Sequence, residues 1–204
     1  MNISKSLVIL STLVLALAFK VKQEKIKIWT EQPTLSEVID FEKSIKKKIN
    51  LVEMNVSLSK SIYPLLDQYE IANPLIVERK QTGFLPLYTE YFFSEPDSII
   101  RYISYDWEKE KYGNFFKKRD IWKEESKKLN EYNNEYEGIK EVMVGQLGTP
   151  ISQDFNPMKT KSSAGRGDYL TRNTVWETDE YYSELDMIFE SMTYRIRWSY
   201  YWKK

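Results

Sequence analysis

The stretch that decides the fold is LDMIFESMTYRIRW, residues 185–198, because it contains two runs in which apolar and polar side chains alternate. This period of two is typical of β-strands with one buried face. If Ser191 and Met192 form the tip of a hairpin, the apolar side chains of both strands share one face. The predicted pairs are Phe189 with Tyr194, Met187 with Ile196, and Leu185 with Trp198. The other face then places Asp186 opposite Arg197, and a slip of one residue would move an apolar set into water.

Two aromatic runs upstream predict a second hairpin. Residues 87–93 and 99–107 flank the sequence EPDS at 95–98, which has proline and aspartate where a type I turn favours them. In each run, aromatic side chains occupy both the odd-numbered and the even-numbered positions, which point to opposite faces of a strand. The sequence therefore predicts the hairpin but not which of its faces is buried.

A long helix is predicted between the two hairpins. Asp120 can cap a helix that continues to residue 147, with Gly148 and then Pro150 at its end. Residues 151–172 are polar and contain Gly and Ser, so they indicate a mobile loop. Residues 175–177 are apolar enough for a further short strand.

The N-terminal third predicts a helix followed by a strand. Thr34 and Glu37 have the spacing of a capping box, and the apolar positions after them predict a helix over 35–49. Alternation over residues 52–58 predicts a half-buried strand. No low-complexity linker separates this region from the rest.

Together these elements predict an α+β fold. An antiparallel sheet, formed by the C-terminal hairpin and the aromatic-rich hairpin, packs against one long helix, with an additional N-terminal helix and strand. We expect residues 81–204 to form a β-β-α-β-β domain. Residues 19–80 form either an extension of its core or a small subdomain, and extend the sheet or cover its second face.

The first residues have the order of an export signal. Lys5 precedes an apolar run at 7–15, and Ala16-Leu17-Ala18 supplies the small residues that a signal peptidase recognises. We expect residues 1–18 to be a signal peptide that is removed to give a periplasmic or secreted protein. The alternative is a membrane anchor at residues 6–19, which is short against the roughly 20 apolar residues of a membrane span. Membrane contact is expected only through this segment, if it stays uncleaved.

Composition excludes several chemistries. The chain has no Cys and no His, which excludes Ser-His-Asp and Cys-His catalysis and zinc sites of the usual His/Cys kind. Its 30 basic residues are balanced by 30 acidic ones. This balance offers no electrostatic basis for binding nucleic acid. We expect no cofactor and no metal site.

Carboxylates and aromatic rings provide the candidate sites on strands. Asp106 and Glu108 lie two residues apart, so their side chains share one face and form a weak candidate for acid/base catalysis. Aromatic residues make up 15% of the chain, a content that suits sugar stacking. The rings not assigned to a core are Trp107, Trp122, Trp176, Tyr181, Tyr182 and Tyr201. Tyr201 is the best candidate among them because it lies on the outer parity of the last strand.

Basic residues provide the candidate site on a loop. Lys159, Lys161, Arg166 and Arg172 fall within residues 151–172, where cations and backbone amides can bind an anionic group.

These features leave three functional hypotheses. The first is a non-catalytic exported protein that binds an envelope protein or a glycan through its sheet edge or through the loop at 151–172. The second is a carboxylate-dependent glycan hydrolase that uses Asp106 and Glu108. The third is a passive carbohydrate-binding module that uses Tyr201.

Overall fold

The strands form an antiparallel sheet with helices on one side. The computed structural model describes residues 26–79, 84–161, 168–190 and 193–204, so the predicted signal peptide and Arg166 lie outside the described residues. The described helices are α1 (Leu35–Ile45), α2 (Phe115–Glu125) and α3 (Leu129–Leu147), with a 3-10 turn at Leu66–Gln68. The described strands are β1 (Leu75–Arg79), β2 (Leu87–Phe93), β3 (Ile100–Glu108), β4 (Ser152–Gln153), β5 (Met158–Lys161), β6 (Asp168–Glu177), β7 (Tyr181–Glu190) and β8 (Thr193–Trp202). The predicted α+β fold is confirmed.

The last strand lies in the middle of the sheet. The strand order is β1-β2-β3-β8-β7-β6-β4, and β5 pairs with β6 on the same side as β4. Because β8 joins the β1-β2-β3 unit to the β7-β6 unit, it is the only described strand that connects the two halves.

The terminal hairpin has the predicted register. Leu185 pairs with Trp198, Met187 with Ile196 and Phe189 with Tyr194, and Asp186 lies opposite Arg197. All three pairs contribute to one core, and the rings of Phe189 and Tyr194 meet edge to face at 4.7 Å. The hairpin tip, residues 191 and 192, lies outside the described residues.

The predicted aromatic hairpin is also present, as β2 and β3, and the structure settles its buried face. Tyr91, Ile103 and Tyr105 belong to the core that α1 and α3 cover, and we call this side of the sheet the helix face. Tyr102 and Asp106 point to the opposite side, which we call the open face. A second, smaller cluster covers one end of the open face, where residues 56–71 pack onto Phe92, Tyr102, Tyr182 and Tyr201.

The N-terminal predictions need correction. The capping box of Thr34 and Glu37 is present, but α1 ends at Ile45 rather than at residue 49. The predicted strand at 52–58 is wrong. The N-terminal strand is β1, to which the preceding chain adds only a bridge between Leu51 and Val77. Residues 52–58 alternate because some of their apolar side chains pack against the open face without a neighbouring strand.

The predicted single helix over 120–147 is wrong, because the chain breaks between α2 and α3. Asn114, not Asp120, caps α2, accepting a hydrogen bond from the backbone nitrogen of Lys117 at 2.9 Å. The break brings the buried Glu125 within reach of Lys128 Nζ at 2.8 Å and of the Tyr132 hydroxyl at 2.9 Å. These bonds stabilise the junction, and α3 then buries Tyr132, Tyr136, Ile139 and Met143 against the sheet.

The predicted mobile loop at 151–172 is also wrong where the structure describes it. It contains β4, β5 and the start of β6, which pair by backbone hydrogen bonds. Strands at a sheet edge bury few side chains, so their sequences lack the apolar alternation that identifies a strand. None of the helices in the described part of the chain is both long and apolar enough to span a membrane.

Candidate functional site

A groove lies on the open face, between the chain at residues 61–64 and strands β6, β7 and β8. Its volume is about 570 Å³. The polar side chains that characterise its lining are Asn173, Tyr182, Glu184, Asp186, Arg195 and Arg197. They share this side because strand side chains alternate between faces, and the apolar residues between them face the helices.

A buried ion-pair network borders the groove. Arg197 Nε donates to Asp106 Oδ1 at 2.7 Å, although the two residues are 91 positions apart in the sequence. The other oxygen of Asp106 accepts bonds from Lys111 Nζ at 2.6 Å and from Ser104 Oγ at 2.7 Å. Burial favours protonation of Asp106, but Arg197 and Lys111 hold the pKa of its carboxyl well below the ordinary range. The network continues from Lys111 to Glu90 at 2.5 Å.

Asp186 lies on the other side of Arg197 and is less well compensated. Its Oδ2 is buried and has no hydrogen-bond partner among the described residues. Burial raises the pKa of Asp186 from 3.8 to about 6, against the opposing charges of Arg195 and Arg197. Asp186 therefore changes its charge in a mildly acidic range.

Arg195 is the second incompletely satisfied group at the groove. Its Nε is buried and lacks a hydrogen-bond partner in the described part of the chain. Glu108 lies opposite on β3, and burial together with the charge of Asp106 raises the pKa of the Glu108 carboxyl. The neighbouring strands β7 and β8 thus present the carboxylate of Asp186 and the guanidinium of Arg195, and each of these groups has one buried atom without a hydrogen-bond partner.

These two atoms differ from the other unsatisfied groups. Six buried side-chain polar atoms of the described residues lack a partner, and four of them belong to neutral side chains. The two on charged side chains, in Asp186 and Arg195, both belong to the lining of the groove. An unsatisfied buried atom costs more on a charged side chain than on a neutral one, so the presence of both atoms at one cavity makes the groove a candidate site.

Glu184 is held in place at the same groove. Asn173 Nδ2 and the Tyr182 hydroxyl both donate to its carboxylate, the latter at 3.1 Å. Tyr182 also stacks on Tyr201, with ring centroids 5.2 Å apart. Glu184 is thus an oriented acceptor at the wall of the groove.

The structure places the predicted aromatic residues mostly in packed positions. Tyr201 lies on the open face, as its parity predicts, and lines the groove, but it is only 8% exposed. Tyr182 covers one of its faces, and Tyr63 meets it edge to face at 5.4 Å. Trp107 and Trp176 are buried in the core, Trp122 packs against it, and Tyr181 stacks on Tyr200.

Of the predicted basic cluster, the described residues Lys159, Lys161 and Arg172 do not share one open surface. Arg172, expected in a mobile loop, lies on β6 and is 1% exposed. Its guanidinium donates to Asn133 Oδ1 at 2.6 Å and to the backbone oxygen of Phe155 at 2.8 Å. Lys159 and Lys161 are exposed on the edge strand β5. Arg172 therefore holds the edge of the sheet to α3.

Asp106 and Glu108 share the open face of β3, but they differ in accessibility. Asp106 has no exposed surface and Glu108 retains 9%. Sequence reasoning missed Glu184, Asp186 and Arg195. In the sequence these residues are the polar positions that alternate with the apolar ones in the terminal hairpin. Any strand with one face in water has the same pattern, so the pattern alone does not indicate a site.

Comparison with protein-family models, curated proteins and solved structures found no match to this chain. No group of three or more acidic side chains among the described residues is arranged to hold a metal ion.

Proposed function

We propose that this protein is an exported, non-catalytic binding protein whose ligand occupies the groove on the open face. The observation that carries the proposal is the pair of unsatisfied charged groups, Asp186 and Arg195, at one cavity. Buried polar groups in native proteins are almost always paired, and a ligand supplies the missing partners here.

The size and lining of the groove support a small ligand. Its volume of about 570 Å³ falls in the range of small-molecule sites, roughly 300 to 1,000 Å³. Oriented polar groups, such as Glu184 with its two donors, provide the selectivity that such sites use. This location replaces the loop at 151–172 as the proposed binding surface.

Export is the second part of the proposal and rests on the sequence. The order of Lys5, the apolar run at 7–15 and Ala16-Leu17-Ala18 supports cleavage after residue 18. The ligand is then a component of the envelope or of the surrounding medium. Mass spectrometry of the protein from culture tests this part: a mature chain that begins near Phe19 is expected, and one that begins at Met1 contradicts it.

A binding role is better supported than catalysis by Asp106 and Glu108. Both oxygens of Asp106 are occupied by Arg197, Lys111 and Ser104, and the side chain has no exposed surface. A general acid or a nucleophile must reach its substrate. The locked geometry therefore favours a structural role for Asp106.

A thermal-shift screen tests the binding proposal. The full protein is heated in the presence of amino acids, dipeptides, monosaccharides and disaccharides, and at least one of these is expected to raise Tm. The shift should disappear in Arg195→Gln and persist in Arg119→Gln, a matched change on the exposed surface of α2. Equal shifts in both variants, or no shift with any compound, would contradict the proposal.

A glycan hydrolase is the second candidate, with Glu184 and Asp186 as the acting carboxylates. Both line the groove, and the raised pKa of Asp186, about 6, is typical of a general acid. Release of reducing ends from bacterial and plant glycans, lost in Asp186→Asn and kept in Asp179→Asn, would support it. No release from any glycan would exclude it.

Passive carbohydrate binding through Tyr201 is the third candidate. The position of this ring at the groove supports it, whereas the stacking of Tyr182 on one face leaves little ring surface for a sugar. Glycan-array binding that Tyr201→Ala abolishes and Tyr181→Ala retains would support it, and equal binding by both variants would contradict it.

A further inference from the structure

We propose that the ligand of the groove is a small zwitterion, a free amino acid or a short peptide, whose ammonium group binds Asp186 and whose carboxylate binds Arg195. This inference rests on the proposed function, because it assumes that the groove is the ligand site. It goes further by assigning the chemical class of the ligand.

The positions of the two residues suit one small molecule that carries both charges. Asp186 on β7 pairs directly with Arg197 on β8. Arg195 lies two residues before Arg197 on β8, so Asp186 and Arg195 are diagonal neighbours on one face of the sheet. Diagonal neighbours on one face are about 7 to 8 Å apart, and long side chains on them can reach a common partner. An α-amino acid carries its ammonium and carboxylate groups on one carbon atom, so a single molecule in the groove can contact both side chains.

The neighbouring charges are already committed to other partners. Arg197 donates to Asp106 at 2.7 Å, and Glu184 accepts bonds from Asn173 and Tyr182. Each group therefore already has a partner, and the buried atoms of the lining that lack one are Asp186 Oδ2 and Arg195 Nε.

The charge balance of the groove favours a ligand with no net charge. Two carboxylates, Glu184 and Asp186, and the guanidinium groups of Arg195 and Arg197 line it. Arg172 also belongs to the lining, but its guanidinium donates to Asn133 and to the backbone oxygen of Phe155. A purely anionic or cationic ligand would pair with one residue and repel another. A neutral sugar fits the balance but offers only dipoles, whereas charge-assisted hydrogen bonds are roughly twice as strong as neutral ones.

Isothermal titration calorimetry with the full protein tests the assignment. Each of the standard L-amino acids and glycylglycine is titrated in turn, followed by two analogues of the best binder that lack either the amino or the carboxyl group. Each analogue is expected to bind at least about tenfold more weakly, because each loses one charged contact. Analogues that bind as tightly as the amino acid would overturn the inference.

Paired variants identify the contacts. Asp186→Asn should remove the preference for the amino acid over its desamino analogue, and Arg195→Gln should remove the preference over its descarboxy analogue. Asp179→Asn and Arg119→Gln, both at exposed positions, should leave both preferences unchanged. Thermal unfolding of every variant verifies that it is folded, and the loss of both preferences in either single variant would contradict the assigned contacts.

The pH dependence provides a readout that a structural role would not give. The charged groups that act on Asp186 are Arg195, Arg197, Glu184 and Asp106, and its pKa of about 6 lies between those of the ligand's carboxyl and amino groups. Affinity for the amino acid should fall by up to about tenfold from pH 7.5 to pH 5 in the unmodified protein, because at pH 5 only about a tenth of Asp186 is ionised. It should change much less in Asp186→Asn, and an equal fall in both would refute the contact.

The outcomes separate this inference from the proposed function. If only neutral sugars bind, and Arg195→Gln abolishes their binding, the groove is the site but the zwitterion assignment is wrong. If no amino acid, peptide or sugar binds, and a crystal structure shows ordered water on both atoms, both proposals are wrong.

Discussion

Replacing Asp186 by asparagine should stabilise the protein at neutral pH while it weakens ligand binding. The folded protein raises the pKa of this carboxyl from 3.8 to about 6, so the folded state binds the proton more tightly than the unfolded state does. A difference of this size corresponds to up to about 3 kcal/mol of lost stability when the group is ionised. The penalty is absent below about pH 4, grows between pH 4 and pH 6, and is complete above pH 6.

The expected result is a difference between two stability curves. Urea unfolding of both proteins from pH 4 to pH 8, without ligand, should show Asp186→Asn gaining up to about 3 kcal/mol over the unmodified protein as the pH rises through 6. The pKa of Asp106 is lowered well below its usual range, so Asp106 stays ionised in both proteins from pH 4 to pH 8, and the change of the difference with pH reports on Asp186. A variant that is less stable at pH 7, or a difference that does not vary with pH, would refute the view that the charge of Asp186 is only partly compensated by Arg195 and Arg197.

Three further changes test the structural argument. A chain that ends at Thr193 should show no cooperative thermal unfolding by circular dichroism, because it lacks the central strand β8; a cooperative transition would contradict this. Glu42→Ala should lower the free energy of urea unfolding by about 3 to 5 kcal/mol, since it leaves the buried Arg79 without the carboxylate that it bonds at 3.0 Å; a loss under about 1 kcal/mol would contradict that estimate. Gly148→Ala should cost about 1 to 3 kcal/mol in the same assay, because φ of +81° and ψ of −158° lie in a region that suits only glycine; an unchanged midpoint would show that the backbone relaxes.

The elements predicted correctly from the sequence are those in which neighbouring strands have a clear side-chain pattern and are joined by only a few residues. The terminal hairpin is the clearest case: both strands alternate, only two residues join them, and a shifted register would expose Ile196 or Met187. The aromatic hairpin was predicted from its turn residues, but its buried face was not. The buried face depends on which side α1 and α3 cover, and the strand residues themselves do not encode that choice.

The missed features depend on contacts between distant parts of the chain. The break between α2 and α3 is stabilised by Glu125 and its partners, which include Lys109 from beyond β3. The strands β4 and β5 exist because β6 offers an edge for pairing, and their own residues are too polar to predict a strand. The groove needs β8 to lie between β3 and β7, which no local pattern specifies.

The alternation of β8 allows fold and site to be tested separately. Ile196 and Trp198 face the core, whereas Arg195 and Arg197 face the groove. Arg197 is nevertheless unsuitable as a probe of function, because its removal would leave the buried Asp106 without its closest guanidinium and destabilise the protein by about 3 to 5 kcal/mol. Arg195 has a buried Nε with no partner in the described part of the chain, so its replacement breaks no hydrogen bond at that atom, although it removes one of the two positive charges that compensate Asp186. A loss of ligand binding in Arg195→Gln with an unchanged Tm would therefore report on the groove itself rather than on the integrity of the sheet.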